Sequence, residues 1–368
     1  MYTKETPLLM IPGPVESSPE VLSQMSKRAF AHTEPKFINS FMDALNNLVK
    51  VFQADSRYSP VIIGGAGTLA MEISMVNIID RSQKEKVLIC DTGYFGQRFA
   101  QLATTFGIEY DIVTAEVGHK MRDDQIASYL ENGRYTAAFI QHVDTSTGVC
   151  NDIENFASRC KKNDTLSIVD GVCSAGGIPA NQKSNGIDIF FTGAQKALAV
   201  PPGLAVMVFS EKAKEKSLQR KVKIPSFYSD LSNWWPVFDA YQNGGVKYFS
   251  TPSTNLIVAL SVSLQRILKE GLNTRFNRHL DLSKHFRTRM IELGFDFVTA
   301  SDSFANTLST PKFRVTDDRS LLSKLKEKGI MVAGGIQAGL ADKYFRVGHM
   351  GEITREQVDF VLDAISSI

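Results

Sequence analysis

A lysine and an acid stand out because each ends or follows a short apolar stretch that is typical of a buried strand. Lys196 comes after the apolar run 187–191, and Asp170 follows directly on the run 166–169. The carboxyl ends of parallel strands lie at one edge of a sheet, so we expect the amine and the carboxylate to be neighbours. A lysine that forms a Schiff base and an acid that keeps a ring nitrogen protonated are the groups that pyridoxal phosphate requires. The pair therefore predicts an enzyme that uses this cofactor.

A glycine-rich segment, Gly64-Gly65-Ala66-Gly67-Thr68, joins a predicted strand to a predicted helix. Glycines let the backbone approach an anion closely, and the start of a helix presents free N–H groups to it. The segment matches neither the P-loop nor the GxGxxG pattern, so it favours a phosphate over a nucleotide. A turn of this composition is equally typical of a purely structural connection, and the segment alone leaves both readings open.

Three other parts of the chain carry side chains that suit a flat, charged ligand. Phe95 follows a predicted strand, where its ring could stack on a cofactor or simply pack under a loop. Polar residues concentrate at 142–148 after another predicted strand, a pattern typical of ligand sites and of turns alike. Arg346 lies in the apolar run 344–347, where a guanidinium could bind a substrate carboxylate or form a structural ion pair.

The composition is that of an ordinary globular protein, with 43% hydrophobic residues, 22% charged residues and a net charge of +2. Charge is spread along the chain without long runs of one sign, so neither nucleic acid nor a membrane surface is an expected partner. The four cysteines, Cys90, Cys150, Cys160 and Cys173, lack the spacing of metal ligands, and we expect no metal site. The N-terminal residues lack a signal-peptide core and no apolar run reaches transmembrane length, so a cytoplasmic location is expected.

Strand-like and helix-like segments alternate through the first two-thirds of the chain. The apolar runs of strand length are 61–63, 87–90, 137–141, 166–169, 187–191 and 204–209, and helical patterns occupy 69–79, 96–106 and 152–161. Near-continuous hydrophobicity is typical of strands that are buried on both faces. The alternation therefore predicts an α/β architecture with a mainly parallel sheet flanked by helices.

The pattern changes after about residue 210, where a charged stretch at 211–223 leads into an aromatic segment. Trp234, Trp235 and Tyr241 in this segment could line the entrance to the site. The remaining predicted elements are helices at 256–270, 280–293, 319–328 and 354–365 and strands near 295–298, 310–315, 330–332 and 344–347. A chain of 368 residues is long for one core. We expect an N-terminal segment 1–19, a large domain 20–255 and a smaller α+β domain 256–368.

In this order, the blocks resemble the class V aminotransferases of fold-type I, most closely the alanine–glyoxylate and serine–pyruvate aminotransferase group. The most specific blocks are 169–174 around Asp170 and 192–197 around Lys196, followed by 201–203 and preceded near the N-terminus by 11–15. The resemblance covers nearly the whole chain. It implies a large domain with a mainly parallel seven-stranded sheet and a smaller C-terminal α+β domain, with pyridoxal 5′-phosphate as cofactor.

The resemblance also implies roles for individual residues. Lys196 and Asp170 match the catalytic lysine and the partner of the ring nitrogen, and Arg346 matches the arginine that binds the substrate carboxylate. The implied cofactor-binding set is Ala66, Gly67, Thr68, Phe95, Ser146, Asp170, Val172, Gln195, Lys196, Tyr248 and Thr251. Tyr248 and Thr251 match residues that reach the partner subunit's site, which implies a homodimer. Ala66 replaces a hydroxyl residue and Phe95 a frequent tryptophan, so both contacts are expected to be weaker than in many relatives.

The implied reaction is a ping-pong transfer of an amino group from a small amino acid, alanine or serine, to a 2-oxo acid, glyoxylate or pyruvate. The main alternative is 2-aminoethylphosphonate–pyruvate transamination on the same fold. Desulfurase chemistry usually requires a histidine on the cofactor ring, and Phe95 at that position argues against it. A catalytically inactive binding protein is disfavoured because Lys196, Asp170 and Arg346 are all present. Alanine and serine differ by one hydroxyl, so the donor stays open.

Overall fold

The computed structural model describes residues 2–314 and 320–368. The strands in these ranges are β1 Leu8–Leu9, β2 Ser59–Gly64, β3 Lys86–Asp91, β4 Glu109–Thr114, β5 Ala137–Gln141, β6 Leu166–Asp170, β7 Ile189–Gly193, β8 Leu204–Phe209, β9 Leu308–Ser309, β10 Ile330–Met331, β11 Ala333–Gly334 and β12 Phe345–Gly348. The helices are α1 Pro19–Met25, α2 Pro35–Val51, α3 Gly67–Val76, α4 Tyr94–Phe106, α5 Asp123–Asn132, α6 Ile153–Lys162, α7 Gln182–Asn185, α8 Glu211–Leu218, α9 Leu231–Gln242, α10 Thr254–Glu270, α11 Leu272–Glu292, α12 Ser320–Glu327 and α13 Arg355–Ser366. The end of the predicted strand 310–315 and the start of the predicted helix 319–328 fall outside the described residues.

The large sheet has seven strands in the order β2-β8-β7-β6-β5-β3-β4. Its neighbours pair in parallel from β4 to β7, and β8 alone runs antiparallel, between β7 and β2. Every residue of β5, β6, β7 and β8 is buried. The expectation of a mainly parallel sheet with both faces covered is therefore confirmed.

One strand of this sheet, β4, was missed by the sequence analysis. It lies at the edge of the sheet, its residues mix polar and apolar side chains, and only one of the six is buried. A continuous apolar run appears only where helices cover both faces, so an edge strand leaves a weaker signal.

A second, smaller core brings the N-terminus and the C-terminal part of the chain together. Strand β1 pairs in parallel with β10, and β9, β11 and β12 form an antiparallel sheet. Apolar residues of α11, α12 and α13 pack on these strands, with Leu8 and Met10 from the N-terminal segment. The predicted strand at 295–298 is wrong, since only a single bridge between Phe297 and Pro311 forms there.

Helix α10 packs with the larger core although nearly all of its sequence lies beyond residue 255. Its buried residues, among them Ile257, Leu260 and Leu264, join the cluster that covers the large sheet, and it lies against α1 and α2. The division of the chain into domains at residue 255 stays a prediction.

The aromatic segment before α10 packs inside the protein. Trp234 and Trp235 lie in α9 and are only 2% and 3% exposed. Their ring N–H groups donate to the Tyr228 carbonyl at 2.7 Å and to the Ser217 hydroxyl at 3.0 Å. These side chains are core residues, so the expectation that they line an entrance is wrong. Within the described residues, no helix is both long enough and apolar enough to cross a membrane.

Candidate active site

Asp170 and Lys196 emerge at the same edge of the large sheet. Asp170 is the last residue of β6 and pairs with Phe191 of the parallel strand β7, which ends three residues before Lys196. The Asp170 carboxylate is 2% exposed and its Oδ1 accepts the Val172 N–H at 2.8 Å. Burial raises the pKa of Asp170 to about 7, and the Asp144 charge adds to this, while the Val172 N–H and Lys196 oppose it. A buried acid of this kind becomes charged readily only when a cation approaches it.

The N-terminal segment covers Lys196. The Lys196 ammonium donates to the Pro12 carbonyl, and a Cβ on Gly13 would lie 2.5 Å from the lysine Cδ. Gly13 also has φ +106°, a conformation that favours glycine. Burial lowers the pKa of Lys196 and the Arg346 charge lowers it further, against the opposing effects of Cys173 and Asp170. A lowered pKa leaves more of the amine unprotonated, so it can act as a nucleophile or a base.

Asp144 organises the polar segment after β5, and the sequence analysis did not single it out. Its carboxylate is fully buried and accepts the N–H groups of Ser146 at 2.8 Å and Phe95 at 3.0 Å. The Ser146 hydroxyl donates to the same carboxylate at 2.5 Å and accepts the Tyr94 N–H at 3.0 Å. These contacts cap the start of α4, and they fix the backbone that carries Phe95 and the position of Ser146. The signal was present, since Asp144 lies in the polar stretch 142–148.

Arg346 reaches the same site from the smaller core. It lies in β12, is 9% exposed, and donates to the Gly334 carbonyl at 2.8 Å and to the Thr145 carbonyl at 3.4 Å. Burial lowers the pKa of Arg346. The structure therefore brings the predicted carboxylate-binding residue beside Ser146 and close enough to Lys196 to affect its charge.

Tyr344 ties the loop 335–343 to the segment after β5. Its buried hydroxyl donates to the Ser146 carbonyl at 2.6 Å and accepts the N–H groups of Ile336 at 3.1 Å and Gln337 at 3.0 Å. The Ser146 hydroxyl also lies 3.0 Å from the Gln337 side-chain oxygen. Neither Tyr344 nor Gln337 was predicted as a site residue, because nothing in the local sequence shows that this loop crosses the end of β5.

The glycine-rich segment brings the start of α3 to the residues after Asp170 and before Lys196. Helix α3 begins at Gly67, and its N-cap residue, Ala66, has no side-chain acceptor for the first N–H groups. A Cβ on Gly67 would lie 2.7 Å from the Val172 side chain and 3.7 Å from the Gly193 nitrogen. Only glycine allows this approach, which leaves free backbone donors at the base of the site.

These groups fit pyridoxal phosphate. Uncharged N–H donors at a helix start, with the exposed Thr68 beside them, suit a phosphate. The side-chain oxygen of Gln195 is buried and has no partner among the described residues, so nothing there fixes the orientation of the amide. Turned by 180°, the amide would present its NH2 group as a donor to a phosphate. Asp170, whose second oxygen is left for another donor, suits a protonated ring nitrogen. Phe95 is half-buried at the same edge, where it could cover a ring.

The remaining two predicted site residues, Tyr248 and Thr251, face away from the core. Tyr248 is 61% exposed, its hydroxyl lies 3.3 Å from that of Thr251, and its ring lies 5.4 Å from His32. Their contact with a second subunit stays a prediction.

Comparison with known proteins identifies the family. Residues 20–360 match the family model of the class-V aminotransferases. The chain belongs to this family. It is 32% identical to alanine–glyoxylate aminotransferase 1 of Saccharomyces cerevisiae over 358 residues, which cover 95% of this chain and 93% of the relative.

Solved structures agree with this assignment. Alanine–glyoxylate aminotransferase from Nostoc superposes with a TM-score of 0.92 at 28% identity, covering 98% of this chain and 94% of the other. Ureidoglycine–glyoxylate aminotransferase from Bacillus subtilis gives 0.90 at 26% identity, covering 98% and 92%. The protein is therefore a fold-type I, pyridoxal-phosphate-dependent transaminase, as the sequence blocks predicted.

Proposed function

We propose that this transaminase moves an amino group from alanine or serine to glyoxylate or pyruvate, in two half-reactions that share one site. The observation that carries the proposal is the convergence of Asp170, Lys196 and Arg346. Lys196 lies between the other two, since the charges of both Asp170 and Arg346 act on its amine. Glyoxylate is favoured as acceptor because relatives named for two different donors share it as acceptor.

Pyridoxal phosphate supplies a ring that withdraws electrons from the bonds at the α-carbon of the amino acid. Asp170 would accept the N–H of the ring nitrogen through the oxygen that Val172 leaves free. Its pKa is raised because the effect of burial exceeds the opposing effect of the Lys196 charge, and a protonated ring would supply a cation in direct contact. Asp170 thereby keeps the proton on the ring nitrogen during the reaction.

Lys196 would first hold the cofactor and then, once displaced by the donor, take the proton from the donor α-carbon. Burial and the Arg346 charge both lower the pKa of its amine, which increases the share of the free base at any given pH. The Pro12 carbonyl accepts an N–H of the amine and limits where it can move. The same amine returns a proton when the 2-oxo acid becomes an amino acid.

Arg346 would bind the substrate carboxylate. Its hydrogen bonds to the Gly334 and Thr145 carbonyls fix the guanidinium in place and leave other N–H groups of the guanidinium available to a substrate. An ammonium donor without a carboxylate, such as 2-aminoethylphosphonate, would present a larger tetrahedral anion at this point. The planar fork of a guanidinium matches carboxylate and phosphate-type groups alike, so Arg346 by itself does not separate these donors. The amino-acid donors are favoured because relatives of this chain are named for alanine.

The other predicted residues would hold the cofactor. Gly67, Thr68 and Gln195 would bind the phosphate, with Ala66 contributing no hydroxyl, while Phe95, Ser146 and Val172 would contact the ring. We also propose that the protein is a homodimer in which Tyr248 and Thr251 complete the phosphate site of the partner subunit. Their exposure in the single chain supports a surface contact of this kind.

The first test is Lys196→Ala, with the surface residue Lys212 changed to alanine as the matched control. We expect Lys196→Ala to lose the visible absorbance of the bound cofactor and nearly all turnover, while Lys212→Ala keeps both. Normal turnover in the Lys196 variant would refute the assignment of the catalytic lysine.

The second test is a panel of amino donors, namely alanine, serine and 2-aminoethylphosphonate, each against glyoxylate and pyruvate. We expect alanine or serine with glyoxylate to give the highest kcat/KM and parallel lines in double-reciprocal plots, the signature of ping-pong kinetics. A preference for 2-aminoethylphosphonate would replace the proposed substrates by the alternative, and intersecting lines would refute the ping-pong order.

A further inference from the structure

The loop that carries Lys196 is irregular and contains a strained residue. It runs from the end of β7 at Gly193 to the start of β8 at Leu204, and inside it Ala199 has φ +53°. A non-glycine residue is strained in this conformation, so the surrounding structure must hold it. Internal hydrogen bonds from Ala199 to the Lys196 carbonyl at 2.8 Å and from Val200 to the Ala194 carbonyl at 3.1 Å close the turn. These two bonds do not use the carbonyls of Ala197 and Leu198, which can therefore accept hydrogen bonds from outside the loop.

Those two carbonyls are bound by residues from α10 and α11. Arg275 of α11 donates from Nη2 to the Ala197 carbonyl at 2.6 Å, and Ser263 of α10 donates to the Leu198 carbonyl. Both donors are buried, Arg275 completely and Ser263 to within 2%. Each therefore acts on a backbone atom one or two residues from Lys196, without contact with solvent.

The Arg275 guanidinium also binds the segment that follows Asp170. Its Nε donates to the Gly176 carbonyl at 2.8 Å, six residues beyond the acid that ends β6. Glu270 balances the buried charge, with an oxygen 2.7 Å from Nη1. One rigid, planar group thus joins the chain after Asp170 to the chain after Lys196.

The same end of α11 holds the chain after Arg346. His279 donates from Nδ1 to the Arg275 carbonyl at 2.8 Å and accepts the Gly351 N–H on Nε2 at 3.0 Å. Gly351 comes shortly after β12, the strand that contains Arg346. Two neighbouring turns of α11 therefore bind the chain segments that follow the amine, the acid and the guanidinium of the proposed site.

We propose that Arg275 and Ser263 are positioning residues of the transamination reaction, which fix the Lys196 amine relative to Asp170 and Arg346 by holding the carbonyls of Ala197 and Leu198. The inference goes beyond the proposed function in naming residues that touch neither substrate nor cofactor, and its kinetic consequences rest on that function. Loss of the guanidinium fork should let the lysine loop shift and admit water around the amine.

The variants are Arg275→Lys, which keeps the charge but not the fork, and Ser263→Ala, which removes one hydroxyl. The matched control is Arg220→Lys. The side chain of Arg220 is also buried, and it donates to the Ser217 carbonyl at 3.1 Å and to the Asp230 carboxylate at 3.0 Å. Arg220 follows α8 on the chain, and the hydrogen bonds recorded for it do not involve the lysine loop. Urea unfolding of all three variants measures the stability that each exchange costs.

In the kinetic test, we expect kcat to fall about 10- to 100-fold in Arg275→Lys and by a smaller factor in Ser263→Ala, with KM for the donor changed little, because a displaced base slows the chemical step more than binding. Arg220→Lys should lose stability but keep kcat. Loss of kcat in the control equal to that in Arg275→Lys would overturn the proposal. If Arg275→Lys does not fold, an unchanged kcat in Ser263→Ala overturns it and a reduced kcat supports it.

The second readout needs no substrate. Reductive methylation of the cofactor-free protein across a pH series, with Lys196 followed by mass spectrometry, gives the pH midpoint at which its amine becomes reactive. Since burial and the Arg346 charge lower the pKa of Lys196, we expect Arg275→Lys to raise the midpoint, and Arg220→Lys to leave it unchanged. An unchanged midpoint in Arg275→Lys overturns the positioning role alone, whereas the proposed function is refuted by its own tests, the turnover of Lys196→Ala and the panel of donors.

Discussion

Replacing Asp170 by asparagine should make the cofactor-free protein more stable at high pH. Burial raises the pKa of Asp170 to about 7 in the folded chain, against about 3.9 in an unfolded one. Between these values the folded protein holds a proton that the unfolded chain has lost, so stability falls as the pH rises toward 7 and beyond. Three pKa units correspond to about 4 kcal/mol in total, of which roughly 3 kcal/mol is lost between pH 5 and pH 8.

Asparagine suits this test because its side-chain oxygen can still accept the Val172 N–H while carrying no charge. The assay is urea unfolding of the cofactor-free wild type and of Asp170→Asn at pH 5 and pH 8, at one protein concentration. We expect the free energy of unfolding of the variant to gain roughly 3 kcal/mol on the wild type between the two pH values.

Added pyridoxal phosphate should abolish this pH-dependent difference in the free energy of unfolding, because a protonated ring beside the Asp170 carboxylate removes the cost of its charge. The control is Asp188→Asn, since burial also raises the pKa of Asp188. Asp188 precedes β7, at the opposite end of the strand from the site, and its pH dependence should not respond to the cofactor. Equal pH dependence of the wild type and Asp170→Asn, or a difference that survives cofactor addition, would refute the reasoning.

The other predictions concern the cofactor, the substrate and the subunit contact. Ala66→Ser should lower the cofactor dissociation constant about fivefold, since one added hydrogen bond contributes about 1 kcal/mol, and titration of the cofactor-free protein measures this, with Ala66→Val as a control that adds bulk without a hydroxyl. Arg346→Gln should raise KM for alanine about 100-fold through loss of a charge-assisted pair, with little change in cofactor affinity; an unchanged KM would remove Arg346 from substrate binding. Mixing the Lys196→Ala protein with a Tyr248→Phe, Thr251→Val double variant should restore roughly a quarter of wild-type activity, because each mixed dimer regains one intact site. No recovery in subunits shown to exchange would argue against shared sites.

Much of the large sheet was predictable because burial on both faces leaves a direct trace in the sequence. Strands β5 to β8 appear as continuous apolar runs, since a polar residue on either face would lie under a helix. Strand β4 has a free edge and shows no such run. The strands of the smaller core are only two to four residues long, and the local sequence predicts the ends of such short strands poorly.

The residues of the site likewise differ in whether local sequence could reveal them. Lys196, Asp170 and the glycine-rich turn could be found because their chemistry and their place at the ends of strands are both local properties of the chain. Their likeness to a family then supplied roles for the others. Asp144 lay within a predicted polar stretch, but its function as the cap of α4 depends on Phe95, whose N–H comes from a different strand–helix connection.

The sequence alone thus determined the chemistry available at one edge of a parallel sheet, an amine, an acid and a set of backbone donors, because strand ends and helix starts are encoded by neighbouring residues. Only the tertiary structure decided how these groups are held. Arg346 reaches Thr145 from 201 positions away, and Arg275 reaches Ala197 from 78 positions away. Such contacts depend on how separate cores pack, and no local pattern of residues records that packing.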